Sequence, residues 1–355
     1  MDINTLTLNF LTLISLISFI ATLLISKYSH LILSGRLQDK DFLKPQAFHS
    51  ESTPRSGGLA IFLVFVVFIF AYYFLKNIFL TDYIIICLFL FLLGFLDDLK
   101  IKINPNIRLA SMLVILTFSI NFFSIEITKS GLDFFNFWLE NYFFQTSFVL
   151  LCFLFVINGA NLIDGFNGLL GIHFLIISLL LMFINSTSLN LDLSIIIMAQ
   201  VILVFSFLLF NFPKAKIFLG DSGSYLLGTL IALNVVKTYQ LNPEISPFFF
   251  AGILFYLFYE VFFSFIRKVM IKVSPLEPDK KHFHMLVYKS LFKCLDKKHV
   301  NYVTSILINT TYLLAVLPIV YFRDNGLLCR YWFFFQILIY TSLYLYLYRK
   351  TRTMK

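Results

Sequence analysis

Charge is what this sequence has least of. Aspartate, glutamate, lysine and arginine supply only 13% of its 355 residues, about half the share found in soluble domains. Beside 59% hydrophobic residues and a mean hydropathy of +0.86, that shortage excludes a water-soluble globule built on one core. Cysteine is sparse too: Cys87, Cys152, Cys294 and Cys329 share no CxxC spacing, so neither a disulfide framework nor a thiolate zinc site is indicated. No basic stretch precedes the first apolar run, because the first lysine is Lys27. That run therefore reads as an uncleaved span, not a signal peptide. Internal repeats, low-complexity linkers and a separate soluble domain are also missing, which leaves a single expected domain over residues 1–355.

What the chain has in abundance is hydrophobic length. Apolar runs able to cross a bilayer as helices recur at about residues 5–26, 58–75, 79–96, 108–127, 143–163, 169–185, 193–210, 224–238, 247–267, 301–321 and 331–348. The expected fold is an all-α polytopic membrane protein with about eleven transmembrane helices. The 46 phenylalanines and 18 tyrosines suit lipid-facing and interfacial surfaces and identify no ligand. Taken alternately, the connecting segments are unequal in charge. Of the 28 lysines and arginines, all but Lys76, Lys129, Lys237, Arg323 and Arg330 fall in one set. By the positive-inside rule that set is cytoplasmic and the N-terminus lies outside. Membrane orientation thus accounts for the net charge of +9, and no nucleic-acid partner is expected.

Every acid-rich or glycine-rich cluster falls on this same face. The first loop holds Asp41, Lys44 and His49, then Thr53-Pro54-Arg55-Ser56-Gly57-Gly58. Arg55 offers paired donors to a diphosphate, and Gly57 and Gly58 admit the anion; the same residues also fit a Pro-Gly turn. The third run ends in Asp97-Asp98-Leu99-Lys100, with Arg108 beyond. Adjacent carboxylates at a helix C-terminus repel each other and oppose the dipole, so they require a cation or a metal nearby. Asn158, Asn161 and Asp164 recur at every third residue. On a helix they share one face and offer oxygens to a hard cation or a sugar.

In the stretch NFPKAKIFLGDSGS, Asn211 to Ser224, Asp221 lies at the rim of the hydrocarbon slab and is the leading candidate metal ligand. Gly220 and Gly223 allow backbone amides to approach a phosphate where the next helix begins, near Tyr225. In the last large loop, His282 and His284 are two residues apart and do not share a helix face. With no third ligand near, zinc is not indicated, and their better use is to bond or neutralise phosphate oxygens. His30, His173 and His299 have no such setting and are read as structural.

In order, TPRSGG, GFLDDLK with Arg108, NGANLIDGFNGL, NFPKAKIFLGDSGS and SPLEPDKKHFH extend from about Asp41 to Met285. Together they resemble the polyprenyl-phosphate N-acetylhexosamine-1-phosphate transferase family (MraY- and WecA-like). The closer likeness is to the WecA-like branch, which makes lipid-linked sugars for surface polysaccharide. The resemblance implies transfer of a sugar 1-phosphate from a UDP-N-acetylhexosamine to undecaprenyl phosphate with release of UMP. It further implies a magnesium cofactor, replaceable by manganese, and a homodimer in the bacterial inner membrane with a cytoplasmic cleft.

Carried to this chain, the resemblance implies that Asp221 binds magnesium with Asn161 as second ligand, and that Asp97 and Asp98 line the phosphate-transfer site. Asn158, Asp164 and Asn211 would hold the nucleotide or sugar, Phe218 would stack on the uracil, and His282 and His284 would meet the diphosphate. Three positions depart from the family pattern: Met285 replaces a third histidine, Asn167 stands where many members have an acid, and Gln46-Ala47-Phe48 lacks a basic residue. Two alternatives remain open, a phospho-N-acetylmuramoyl-pentapeptide transferase and, in a different class, a secondary transporter. Against the transporter, the acids cluster at span ends, away from the bilayer midplane, and no repeat is visible.

Overall fold

The computed structural model describes residues 3–39, 52–101, 103–275 and 279–352. Asp41, Lys44, His49 and the segment Gln46-Ala47-Phe48 lie outside the described residues, as does Pro278 of the last motif. The helices are α1 (Ile3–Tyr28), α2 (Gly57–Lys76), α3 (Thr81–Asp98), α4 (Pro105–Phe122), α5 (Asp133–Leu139), α6 (Tyr142–Ile163), α7 (Leu169–Thr187) and α8 (Leu191–Asn211). They continue with α9 (Gly220–Leu241), α10 (Pro247–Ile253), α11 (Phe255–Met270), α12 (Phe283–Leu291), α13 (Lys297–Tyr321) and α14 (Gly326–Arg352). Two short strands, β1 (Gln38–Asp39) and β2 (Thr53–Pro54), pair antiparallel ahead of α2.

Local chemistry sets several helix starts. Asn104 Oδ1 accepts the Asn106 amide at 3.0 Å ahead of α4, with Pro105 in the first turn. Ser246 Oγ does the same for Phe248 at 3.3 Å ahead of α10, again with a proline following. Eight helices among the described residues are long and apolar enough to cross a membrane, or nine if the pair α10 and α11 forms one span. That is fewer than the eleven expected, and the physical reason is composition. The two remaining segments are helical, but α3 carries Asp82, Asp97 and Asp98, and α9 is rich in glycine, serine, threonine and asparagine. The protein is an all-helical, multi-pass membrane protein, with α1 and α14 leaving most of their apolar surface uncovered for lipid.

The run at 247–267 breaks between Ile253 and Phe255, where α11 turns 73° away from α10. Carbonyls freed by such a break need partners in a bilayer. The Tyr312 hydroxyl donates to the Ile253 carbonyl, and Gln336 Nε2 donates to that of Gly252 at 3.5 Å.

Nearly all of α9 is buried, packed between α3, α6 and α2. Small residues make this possible, because helices in lipid associate through close backbone contact and side-chain hydrogen bonds. A Cβ on Gly228 would lie 2.8 Å from the Ile157 Cα of α6, and one on Gly94 of α3 would lie 2.5 Å from the Asp221 carbonyl oxygen. Deeper in the bundle, Asn234 of α9 accepts from the Tyr83 hydroxyl at 2.7 Å and donates to Gln200 Oε1 at 2.6 Å. Gly94→Ala is therefore expected to push α3 off the first turn of α9 and destabilise the protein by about 1–3 kcal/mol. Thermal unfolding in detergent reads this, and an unchanged midpoint would contradict the contact.

Candidate active site

The chain segment around Arg55 lies along the segment that leads into α9. Phe218 N–H donates to the Pro54 carbonyl at 2.8 Å, Gly57 N–H to the Phe218 carbonyl at 2.9 Å, and Gly58 N–H to the Leu219 carbonyl at 2.8 Å. The Gly57 and Gly58 amides, expected to lie open to a diphosphate, are thus engaged by backbone. The smallness of these glycines serves packing, since a Cβ on Gly58 would strike the backbone of Gly223. Arg55 is held from two sides: its Nε donates to Asp39 Oδ2 at 2.9 Å, and its Nη1 lies 3.9 Å from Asp98 Oδ1. Burial works against the Arg55 charge, but Asp221, Asp39 and Asp98 outweigh it and raise its pKa.

The adjacent carboxylates Asp97 and Asp98 have separate fates. Asp97 pairs with Arg108 Nη1 at 2.7 Å. Asp98 is 2% exposed and caps α9 from another helix. It accepts the Asp221 and Ser222 amides, each at 2.9 Å, and the Ser222 hydroxyl at 2.6 Å. Helix α9 therefore starts at Gly220, earlier than the Tyr225 expected, and its first free amides are taken by a carboxylate of the protein. Gly220 makes the turn possible: its φ is +81°, and a Cβ there would sit 2.6 Å from Asp98 Oδ2.

Around this capped end the remaining polar groups converge. Asn161 of α6 donates to Ser224 Oγ at 3.2 Å and approaches Asp221 Oδ1 at 3.4 Å. Asp164 follows the last residue of α6. Burial, then the nearby Asp221 charge, pushes its carboxyl up to about 8, with Arg55 opposing and Asp98 adding. Asn158 spends its amide on the Leu154 carbonyl of its own helix at 2.8 Å. Asn211 is engaged at both ends, accepting the Gly168 amide at 2.7 Å and donating to the Ile217 carbonyl at 2.8 Å. It shapes the loop that carries the half-buried Phe218. Asn167 donates to the Pro213 carbonyl at 2.9 Å, a bond that a carboxylate at this position could not make.

Asp164 has a consequence for pH. Its raised value means that the folded protein keeps a proton which the unfolded chain has released, so this group's contribution to stability falls as pH climbs from about 4 to 8. In metal-chelating buffer, Asp164→Asn is expected to remove that part of the slope between pH 6 and pH 9. Identical pH dependence of the unfolding midpoints of the wild type and the variant would overturn it.

No three histidine, cysteine or carboxylate side chains among the described residues stand close enough to hold a metal by themselves. Magnesium asks for less, usually one or two carboxylates together with waters and substrate phosphates. Asp221 beside the Asn161 amide fits that requirement. An apolar cavity of about 350 Å³ lies toward the other end of α6 and α9, against Cys152, Val156, Val235 and Tyr239. Its chemistry suits no nucleotide.

His282 and His284 are buried. Their rings stack with centroids 5.6 Å apart, and His284 meets Phe166 edge-on at 5.6 Å, beside Gly165. Burial drives the His284 pKa down to about 3, with Glu260 opposing and His282 adding, so His284 is neutral and brings no charge to a diphosphate. The loop is braced by Arg267 against Asp279 at 2.5 Å and by Lys268 Nζ on the Pro275 carbonyl at 2.9 Å. Met285 is buried in the core. His173 packs against Asn309 and His299 against Tyr302, as structural histidines do.

Sequence reasoning missed Asp39, Ser222 and Glu260. Glu260 was legible as the lone acid inside an apolar run, whereas Asp39 carries no local signal.

Fold and site together define a multi-pass membrane protein whose acids and amides gather where apolar helices end. The pattern described as Glycosyl transferase family 4 matches residues 80–239. Undecaprenyl-phosphate alpha-N-acetylglucosaminyl 1-phosphate transferase of Thermotoga maritima is 29% identical over 245 residues, covering 69% of this chain and 71% of the relative. Probable undecaprenyl-phosphate N-acetylglucosaminyl 1-phosphate transferase of Bacillus subtilis is 29% identical over 248 residues, 66% of each chain. Phospho-N-acetylmuramoyl-pentapeptide-transferase of Dictyoglomus thermophilum is 31% identical over 257 residues, 68% of this chain and 78% of the relative. The chain belongs to glycosyl transferase family 4, the polyprenyl-phosphate hexosamine-1-phosphate transferases.

Proposed function

We propose that the protein transfers N-acetylhexosamine 1-phosphate from a UDP-sugar to undecaprenyl phosphate, releasing UMP, as the first membrane step of a lipid-linked surface polysaccharide. One observation carries this reading: Arg55, Asp98, Asn161, Asp164 and Asp221 meet around the first turn of α9. The activity in the printed names of the Thermotoga and Bacillus relatives supports it. The basic loops argue that this end faces the cytoplasm of a bacterial inner membrane, and family likeness argues for a homodimer.

The architecture follows from the substrates. A polyprenyl tail must stay in the bilayer while its phosphate meets a water-soluble nucleotide sugar, and a polar cluster at helix ends serves both. The attacking oxygen belongs to a phosphomonoester whose second pKa is about 6, so it is mostly dianionic at neutral pH without a strong base. It forms a bond to the β-phosphorus of the UDP-sugar as the bond to the bridging oxygen breaks and UMP departs with that oxygen. Positioning and charge neutralisation dominate such transfers. Asp221 and Asn161 would hold magnesium, which when bound supplies positive charge to the diphosphate. Asp97, fixed by Arg108, lines the approach, and Arg55 offers its guanidinium to the diphosphate. Asp164, protonated near neutrality, serves as a hydrogen-bond donor to nucleotide or sugar.

Purified protein in detergent, given undecaprenyl phosphate, magnesium and a panel of UDP-N-acetylhexosamines, is expected to release UMP and form a lipid-linked sugar with one of them. The identity of the Dictyoglomus relative favours a second reading within the same chemistry, so UDP-N-acetylmuramoyl-pentapeptide belongs in the panel. Product from that substrate alone would replace the first reading with the second. No release from any donor would sink both.

A further inference from the structure

Helix α11 holds one buried acid. Glu260 is 2% exposed, and among the described residues its ion-pair partner is His282, with no lysine or arginine in contact. A buried carboxylate is costly unless its oxygens are bonded. Glu260 Oε1 accepts from the Phe283 amide at 3.1 Å and lies 3.0 Å from His282 Nδ1, while Oε2 accepts from the Tyr340 hydroxyl of α14. The other titratable groups facing it are His284, behind His282, Tyr256, about one turn back on α11, and Tyr344 of α14. Because Oε1 already accepts an amide proton and an ionised carboxylate has none to give, the contact with His282 runs from Nδ1–H to Oε1. That arrangement fixes both ring orientation and tautomer, as outer partners of working histidines do.

We propose that Glu260 is the positioning residue of the transfer site: by accepting the Nδ1 proton of His282 it fixes that ring's orientation and tautomer, so that Nε2 is the ring atom offered to the substrate. The inference rests on the transferase reading above. It separates the two histidines by role, His282 acting on substrate and His284 packing behind it. It also brings α14, which lies outside the matched stretch 80–239, into the working of the site through Tyr340.

Glu260→Gln keeps the shape and an acceptor oxygen but removes the charge. It is expected to lower kcat about 10- to 100-fold with KM for the UDP-sugar nearly unchanged. In a His282→Ala background the same substitution should cost kcat nothing further, because the effect of Glu260 on transfer runs through that ring. Equal losses in both backgrounds, or wild-type kcat in Glu260→Gln, would overturn the proposal. A readout independent of turnover is available in nitrogen NMR of the six histidines, with His282 assigned by the signal that His282→Ala removes. A proton on His282 Nδ1 is expected, and a neutral ring protonated only at Nε2 would overturn the inference. If no sugar nucleotide reacts but the Nδ1 proton is present, the transferase reading fails and the Glu260–His282 arrangement stands.

Discussion

Asp98→Leu is expected to destabilise the folded protein by about 3–5 kcal/mol, because it strips three donors of their shared acceptor in a buried place. Those donors are the amides of Asp221 and Ser222 and the Ser222 hydroxyl, and they set the first turn of α9. Loss of activity should follow loss of structure. Asp98→Asn keeps one acceptor oxygen but turns an NH2 group toward the same donors, so it should fall between Leu and wild type. Asp97→Asn loses one half-exposed ion pair with Arg108 and should leave stability within about 1 kcal/mol while lowering transfer. Thermal unfolding in detergent alongside initial rates reads all three. Equal destabilisation by Asp97→Asn and Asp98→Leu would refute the division of labour between the neighbours.

Asp221→Asn is expected to lower transfer about 10³-fold without comparable loss of stability. Among the described residues the one hydrogen bond the Asp221 side chain has to lose is the long 3.4 Å approach of Asn161, and loss of its attraction for Arg55 is offset by relieved repulsion on Asp164 and Asp98. Manganese binding, followed by electron paramagnetic resonance, should weaken in parallel with the rate. Undiminished manganese binding would move the metal elsewhere and take the assigned role of Asp221 with it.

Much of this could be read from the chain itself. Hydrophobic length gave the helices, and basic residues in alternate loops gathered the polar motifs on one expected face. Spacing in NGANLIDGFNG put Asn158, Asn161 and Asp164 on one helix face, while the pairing of Asn161 with Asp221, neighbours in the fold, came from the family resemblance. What sequence could not reveal depends on contacts between distant segments. The amides of Gly57 and Gly58 look free until Phe218 and Leu219 lie beside them. A GDSGS turn looks like a phosphate cradle until Asp98, more than a hundred residues earlier, fills it. The 73° turn at Ile253 has no proline to announce it, since its carbonyls are satisfied from α13 and α14. Glu260 gave a signal, but only the fold shows that its partner is His282.

The Asp98 plug in α9 also bears on inhibition. Helix N-termini ordinarily attract free oxyanions, yet here that seat is occupied by a tethered carboxylate with all its bonds in place. Inorganic phosphate and sulfate in the surrounding water should therefore compete poorly with the sugar nucleotide, and the enzyme should run at full speed in phosphate buffer.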